Sequence, residues 1–203
     1  MEGLVPLAVA NGWASGISAY GVVFLMGLIG RLGWADTPEL LRRTDVLVVA
    51  GLLAAFELIV DKIPYLDSLW DSVHTVIRPL LAAGVGVLLA GDATTGAQVL
   101  SAIGTAAVAL LSHTSKAGIR LAVNTSPEPV TNIGVSAAED ISVVGVVLLA
   151  WQHPWAAAAV AVVLLALGLG LAVFLFSRIR RGWRRLAARF GTGTPPRGRA
   201  GVG

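Results

Sequence analysis

AAAAVAVVLLALGLGLAVFLF, Ala156 to Phe176, carries no charged residue and no proline, and its reading decides the fold. A bilayer core of about 30 Å needs ~20 apolar residues at 1.5 Å of helical rise each. This stretch is long enough to cross a membrane alone. The remainder of the chain has the same character, with 56% hydrophobic residues and a mean hydropathy of +0.79. The fold class expected is all-α: a polytopic membrane helix bundle of about six transmembrane helices.

Working outward from that stretch, eight arginines follow Ser177, at positions 178, 180, 181, 184, 185, 189, 197 and 199. The part of the chain before them holds seven basic and twelve acidic residues, a net of minus five. The basic isoelectric point therefore belongs to a tail, and nucleic acid is not an expected partner. Arginines just beyond a last span are retained in the cytosol, where they can also meet anionic lipid. The expected location is a bacterial cytoplasmic membrane, multi-pass, with both termini cytosolic. Arg31, Arg42 and Arg43 oppose that orientation, and the larger cluster is taken to dominate. Cysteine is absent, so disulfides and thiolate metal sites are excluded. Glu2 stands where a signal peptide favours Lys or Arg, so the N-terminus reads as uncleaved.

Six spans are expected. Span one, Leu4 to Ile29, is interrupted by Pro6, Gly12 and Gly16, which suit a broken or closely packed helix. Span two follows Thr37, read as an N-cap with Pro38 in the first turn, and ends near Ile63. Span three runs from Pro64 to Ala90 with a kink at Pro79; an interfacial helix at 65–77 before a short span is the alternative. Spans four, five and six cover Ala97 to Val123, Asn132 to Trp151 and Trp155 to Phe176. Gly191 to Gly203 is too poor in apolar residues to fold by itself.

Polar landmarks recur in order along the two halves. Ser15, Ser18 and Gly21 match Ser112, Ser115 and Gly118; Thr37-Pro38-Glu39 matches Ser126-Pro127-Glu128; Asp45 matches Asp140; Pro64-Tyr65 matches Pro154-Trp155. Three spans per copy would invert the second copy, as in many secondary transporters. The domains expected are thus 1–91 and 92–177 as two inverted three-helix repeats, with 178–203 as an Arg-rich tail. The pairs Gly12/Gly16, Ser15/Ala19 and Ala102/Ala106 are spaced for close helix approach.

The charges inside the spans are the candidate site. Asp67, Asp71, His74 and Arg78 lie at i, i+4, i+7 and i+11, one stripe of a 3.6-residue helix. Glu57 and Asp61 are four apart on span two, Lys116 and Arg120 four apart on span four, and like charges at that spacing repel. Alternation of the spans puts Glu57, Asp61, Asp67, Asp71, His74, Arg78, His113, Lys116, Arg120, Glu139 and Asp140 in one half of the bilayer. A charge at mid-membrane costs about 2.5 to 3.5 kcal/mol on insertion scales, so these groups face one another or water. Carboxylates in such a cavity suit a proton or a hard cation; His74 and His113 can relay protons or be hydrogen-bonded structural residues. There is no zinc motif, and no cofactor is implied. No Gly-x-Ser-x-Gly elbow, phosphate loop or His-Glu-x-x-His occurs, so an enzyme is not expected.

Several of these segments, taken together, resemble a known family. They are Phe56-Glu57-Leu58-Ile59-Val60-Asp61-Lys62-Ile63-Pro64, the Asp67–Pro79 stretch with Trp70-Asp71, His74-Thr75 and Arg78-Pro79, Lys116-Ala117-Gly118-x-Arg120, and Val123 through Pro129 to Ala138-Glu139-Asp140. They resemble the bacterial membrane family known as domain of unknown function 4126 over roughly residues 10–175. The resemblance implies a shared polar framework and supplies no substrate. The expected function is a transporter or channel for a small ion or polar solute, with proton coupling and homo-oligomerisation as further expectations. The alternatives are an anion or lipid-phosphate carrier using Lys116, Arg120 and Arg78, or a non-transporting scaffold whose buried charges fix helix register.

Overall fold

The computed structural model describes residues 3–124 and 129–190, and the regular elements in them are all helices: α1 (Leu4–Ile17), α2 (Ala19–Arg31), α3 (Glu39–Arg42), α4 (Thr44–Val60), α5 (Leu66–Ala90), α6 (Thr95–Val123), α7 (Pro129–Gln152) and α8 (Pro154–Phe190). Five stretches are long and apolar enough to cross a membrane: Leu4–Arg31, Leu66–Ala90, Thr95–Val123, Val130–Gln152 and Pro154–Gly182. Polarity is inverted relative to a protein in water. Leu52, Leu69, Leu80, Leu100, Ile141 and Leu167 are exposed, while the largest fully buried side chains are Arg78, Arg120 and Lys116. A surface of this kind is stable against lipid, where backbone groups must be satisfied inside helices and charges turn inward.

Span one is broken, and the break reverses the chain. It falls at Ser18, not at Pro6, Gly12 or Gly16. Ser18 is extended (φ −147°, ψ 93°), and its hydroxyl caps α2 by accepting from the Gly21 N–H. From there α2 returns toward the level at which α1 began. Leu7 in α1, the Asp36–Arg42 stretch after α2, Leu88 and Leu89 at the end of α5, and Trp151 at the end of α7 line one cavity of about 300 Å³. Arg31 Nη1 donates to Thr44 Oγ1 at the start of α4, and α4 then runs back along α2 until Glu57 meets Ser18. The pair α1–α2 is therefore a V-shaped hairpin whose tip places Ile17 in the interior and leaves Ser18 half-buried. Length and composition alone do not reveal this, because hydropathy carries no direction.

Close approach of α1 to α6 depends on two glycines. A Cβ on Gly12 would lie 2.8 Å from the Thr105 carbonyl oxygen, and one on Gly16 would lie 2.6 Å from Ser112 Cβ and collide with the Ala109 carbonyl. Ser112 Oγ donates to the Trp13 carbonyl across the same contact. On α6 the buried small residues are Ser101, Thr105 and Ala109; Ala102 and Ala106 are only half-buried.

Several expectations are corrected here. Gly12 faces Thr105 and Gly16 faces Ala109, so α1 and α6 run in the same direction. Helix α1, the first half of expected span one, is therefore parallel to α6, and α2, its second half, runs against α6. Among the described residues the stretches long and apolar enough to cross are five, not six, and α4, at 17 residues, is not one of them. Helix α1 packs against α5 of its own half and against α6, α7 and α8 of the other. Thr37 caps nothing: Pro38 precedes the short α3, and Arg43 separates it from α4. Residues 66–77 belong to one continuous α5 with Pro79 inside it, and Tyr65 is the residue before its first turn. Helix α8 continues to Phe190, beyond the expected end of span six. Ser126-Pro127-Glu128 and Gly191–Gly203 lie outside the described residues.

One face of the bundle, termed upper, carries Leu7, Asp36–Arg42, Leu88 and Trp151. The lower face carries residues 61–65, Asn124 and the part of α8 beyond Ser177, because α8 runs alongside α6 with Gly168 at Ser115 and Ala172 at Gly118. Leu4 and Phe190 are thus at opposite faces of the bundle. In this cysteine-free chain, Gly3→Cys and Trp34→Cys should react with an impermeant maleimide from the same side of sealed vesicles, and Ile63→Cys and Arg184→Cys from the other. Labelling of Gly3→Cys and Trp34→Cys from opposite sides would exclude the hairpin. A second outcome concerns packing: Gly16→Ala should lower stability in detergent by about 1–3 kcal/mol through overpacking, whereas Gly104→Ala, which meets open space, should leave the unfolding midpoint unchanged.

Candidate functional site

The tip of the hairpin organises the buried charges. Ending α1 at Ile17 leaves its last carbonyls without helical partners, and that end is the negative pole of the helix dipole. Two cations occupy it: Arg78 Nη1 donates to the Gly16 carbonyl at 3.4 Å and Lys116 Nζ to the Ile17 carbonyl at 3.0 Å. Beside it, at the start of α2, the Ser18 hydroxyl donates to Glu57 Oε2 at 2.5 Å.

Around Arg78 lies a first group of charges. Its guanidinium binds Glu57 Oε1 at 2.6 Å and Asp71 Oδ1 at 2.9 Å, with all three side chains at most 3% exposed. Arg78 Nη1 also lies 2.7 Å from His113 Nδ1. A guanidinium only donates, so Nδ1 is the acceptor and the ring proton is on Nε2, directed at Thr75 Oγ1 3.1 Å away. Thr75 in turn donates to the Asp71 carbonyl.

Below it, toward the lower face, lies a second group. Lys116 Nζ reaches Asp61 Oδ2 at 2.5 Å; Arg120 reaches Glu139 Oε2 at 2.5 Å, Asp67 Oδ2 at 3.6 Å and Asp61 Oδ2 at 3.8 Å. Arg120 Nη1 further donates to the Asp61 carbonyl and to Asn132 Oδ1. The repulsive pairs in the sequence are thus relieved by different partners: Glu57 is bound by Arg78 and Asp61 by Lys116, while Asp61 and Glu139 separate Lys116 from Arg120. Spans two and four do neutralise each other, but through Asp61 alone.

Two expected members stand apart. Asp140 sits at the rim, 3.3 Å from Lys62, with side chains 24% and 38% exposed. Adjacent helical residues point about 100° apart, so Glu139 and Asp140 cannot both face the interior. His74 is buried and its ring nitrogens meet neutral partners: Nδ1 lies 2.8 Å from the Trp70 carbonyl and Nε2 3.0 Å from the Tyr20 hydroxyl, with its ring stacked on Trp70. This is the hydrogen-bonded structural role. Sequence reasoning did not single out Asn124, which donates to Asp67 Oδ1 at 2.8 Å, nor Asn132, Tyr20 and Thr75. The only sequence signal for them was polarity in an apolar context.

The charge count is unequal. Among the described residues the two groups contain five carboxylates (Glu57, Asp61, Asp67, Asp71, Glu139) and three cations (Arg78, Lys116, Arg120). Fully ionised, each group carries one negative charge in excess. Asp61 Oδ1, Asp67 Oδ2 and Asp71 Oδ2 are buried without a hydrogen-bond partner. No three His, Cys, Asp or Glu side chains among the described residues converge as metal ligands. Two cavities reach the network from outside. One, about 310 Å³ between α1, α6, α7 and α8, has Lys116 and Glu139 among apolar walls; the other, about 180 Å³ between α5 and α6, is lined by Ser68, Asp71, Ser72, Thr75, Ala117 and Leu121.

An apolar exterior, a helical hairpin turning inside the bundle and a buried charge network define a polytopic helical membrane protein with an internal polar site. Residues 5–173 match the family described as domain of unknown function (DUF4126), and the chain belongs to that family. Neither the curated proteins nor the solved structures contain a significant match to it.

The pairing predicts a specific coupling. Lys116→Met or Asp61→Asn alone should each cost about 3–5 kcal/mol by leaving a buried charge unpaired, and the double variant should cost less than the sum. Glu57→Gln with Lys116→Met should be nearly additive, since those side chains bind different partners. Denaturation in detergent through both double-mutant cycles measures this. Additivity for the Asp61–Lys116 pair would refute the coupling.

Proposed function

We propose that the protein carries a small cation, in the simplest case a proton, across the bacterial cytoplasmic membrane through the charged network at the hairpin tip. The supporting observation is the imbalance of five buried or nearly buried carboxylates against three cations, with Asp61 Oδ1 and Asp71 Oδ2 buried without a hydrogen bond and Asp67 Oδ2 meeting only Arg120, at 3.6 Å. Isolated buried charge is too costly to persist, so each group binds a proton or another cation in place of its missing partner. A scaffold that used charge only to fix helix register would call for a closed network of equal charges. A phosphate carrier would call for unpaired cations, whereas Arg78, Lys116 and Arg120 each engage carboxylates here.

The lower face is cytosolic in this reading, because the arginines beyond Ser177 outnumber Arg31, Arg42 and Arg43 on the other side. Those same arginines meet anionic headgroups. The network then lies in the cytosolic half of the bilayer.

Purified protein in liposomes with an entrapped pH indicator should dissipate an imposed proton or sodium gradient faster than empty liposomes. Asp61→Asn, which keeps shape but cannot ionise, should reduce that flux about tenfold or more while the protein stays folded. Flux equal in wild type, Asp61→Asn and empty liposomes would overturn the reading. Phosphate flux lost in Lys116→Gln and Arg120→Gln would favour the anion carrier instead.

A further inference from the structure

We propose that the cavity between α5 and α6 beside Asp71 binds one monovalent cation, sodium or hydronium. This rests on the reading of the network as a cation site and names where the ion sits. Asp71 is 2% exposed; its Oδ1 is held by Arg78, while Oδ2 is buried without a partner. The same residue lines the cavity together with the side chains of Ser68, Ser72 and Thr75.

Hydroxyl orientation selects the sign of the ligand. Ser72 Oγ donates its proton to the Ser68 carbonyl at 2.8 Å, and Thr75 Oγ1 donates to the Asp71 carbonyl at 3.0 Å. With both protons committed to the backbone, Ser72 Oγ has only lone pairs to offer, and Thr75 Oγ1 the one lone pair that the His113 Nε2–H leaves. A carboxylate oxygen and hydroxyl lone pairs suit a hard cation and repel an anion. Ser68 Oγ accepts from Asn124 Nδ2 at 2.8 Å, which ties the cavity to the lower end of α6.

Charge selects the valence. The group around Arg78 lacks a single positive charge, which a monovalent ion supplies. A divalent ion would reverse the imbalance beside a fixed guanidinium. The charged and titratable groups around Asp71 are Arg78 and His74 on α5, Glu57 on α4, and His113 and Lys116 on α6. Access fits as well: residues 68–75 occupy the first three turns of α5, within roughly 14 Å of its lower end at 1.5 Å per residue, and Ser72 and Thr75 are exposed on the bundle surface.

The test is calorimetric titration of the full-length protein in detergent with sodium chloride against choline chloride at constant ionic strength, repeated across pH, alongside potentiometric proton counting. For sodium, the expected result is saturable one-to-one binding that weakens about tenfold per pH unit on acidification, by competition with the proton. For hydronium, sodium gives no heat and Asp71→Asn takes up one proton fewer per protein than the wild type. In either case Asp71→Asn should abolish the signal, Ser72→Ala should weaken sodium binding several-fold, and Asp36→Asn, at the exposed upper face, should retain it. Ser72→Ala removes only an exposed hydroxyl, so it serves if Asp71→Asn fails to fold. Sodium and proton binding unchanged in Asp71→Asn and Ser72→Ala would overturn the site. Binding that depends on Asp71 in a protein without liposome flux would leave the site standing and remove the transport reading; flux that depends on Asp61 but not on Asp71 would do the reverse.

Discussion

Three cations held against helix-end carbonyls and carboxylates inside an apolar bundle are the constraint on which the rest of the structure depends. Arg78, Lys116 and Arg120 are essentially inaccessible, and an unpaired ion in such surroundings is several kcal/mol unfavourable. The chain therefore has to bring oxygen to them. It does so by ending α1 at Ile17, which frees the Gly16 and Ile17 carbonyls for Arg78 and Lys116. Carboxylates then converge from α4, α5 and α7. Continuous helix through Ser18 would withdraw those carbonyls into intrahelical bonds and leave both cations short of acceptors.

The packing follows from the same requirement. For the hairpin tip to reach Lys116, α1 must lie almost backbone to backbone on α6, and Gly12 and Gly16 permit it. Polar stripes on α5 and α6 turn toward the tip: Asp67, Asp71, His74 and Arg78 on one, Ser112, His113, Lys116 and Arg120 on the other. Their apolar faces are left for lipid. Helix association of this kind draws on close packing and interhelical hydrogen bonds, since lipid offers no hydrophobic drive between helices.

Discontinuous helices whose ends meet ions near the middle of a membrane are a recurrent device of transporters. Here the ions at the carbonyl end belong to the protein itself. The two groups share the hairpin tip, the Gly16 carbonyl meeting Arg78 and the Ile17 carbonyl meeting Lys116.

Sequence and tertiary structure contributed different things. Composition alone determined the membrane class, and the 3.6-residue spacing of Asp67, Asp71, His74 and Arg78 placed them on one helix face, all of them buried in the structure. The alternation of spans brought the ends of α4 and α6 and the starts of α5 and α7 together, so the convergence of Glu57, Asp61, Asp67, Asp71, Arg78, Lys116, Arg120 and Glu139 was legible as well. The hairpin was not, because an apolar run of 28 residues, Leu4–Arg31, reads the same whether it crosses or returns; the turn at Ser18 is recognisable only from the contacts that α2 makes on its way back. That reversal also decided that α1 and α6 are parallel and that the two ends of the bundle face opposite sides. Which carboxylate met which cation, and that Glu139 rather than Asp140 turned inward, were set by helix rotation. Spacing along one helix fixes relative angle, but only packing against the neighbours fixes which angle points at the core.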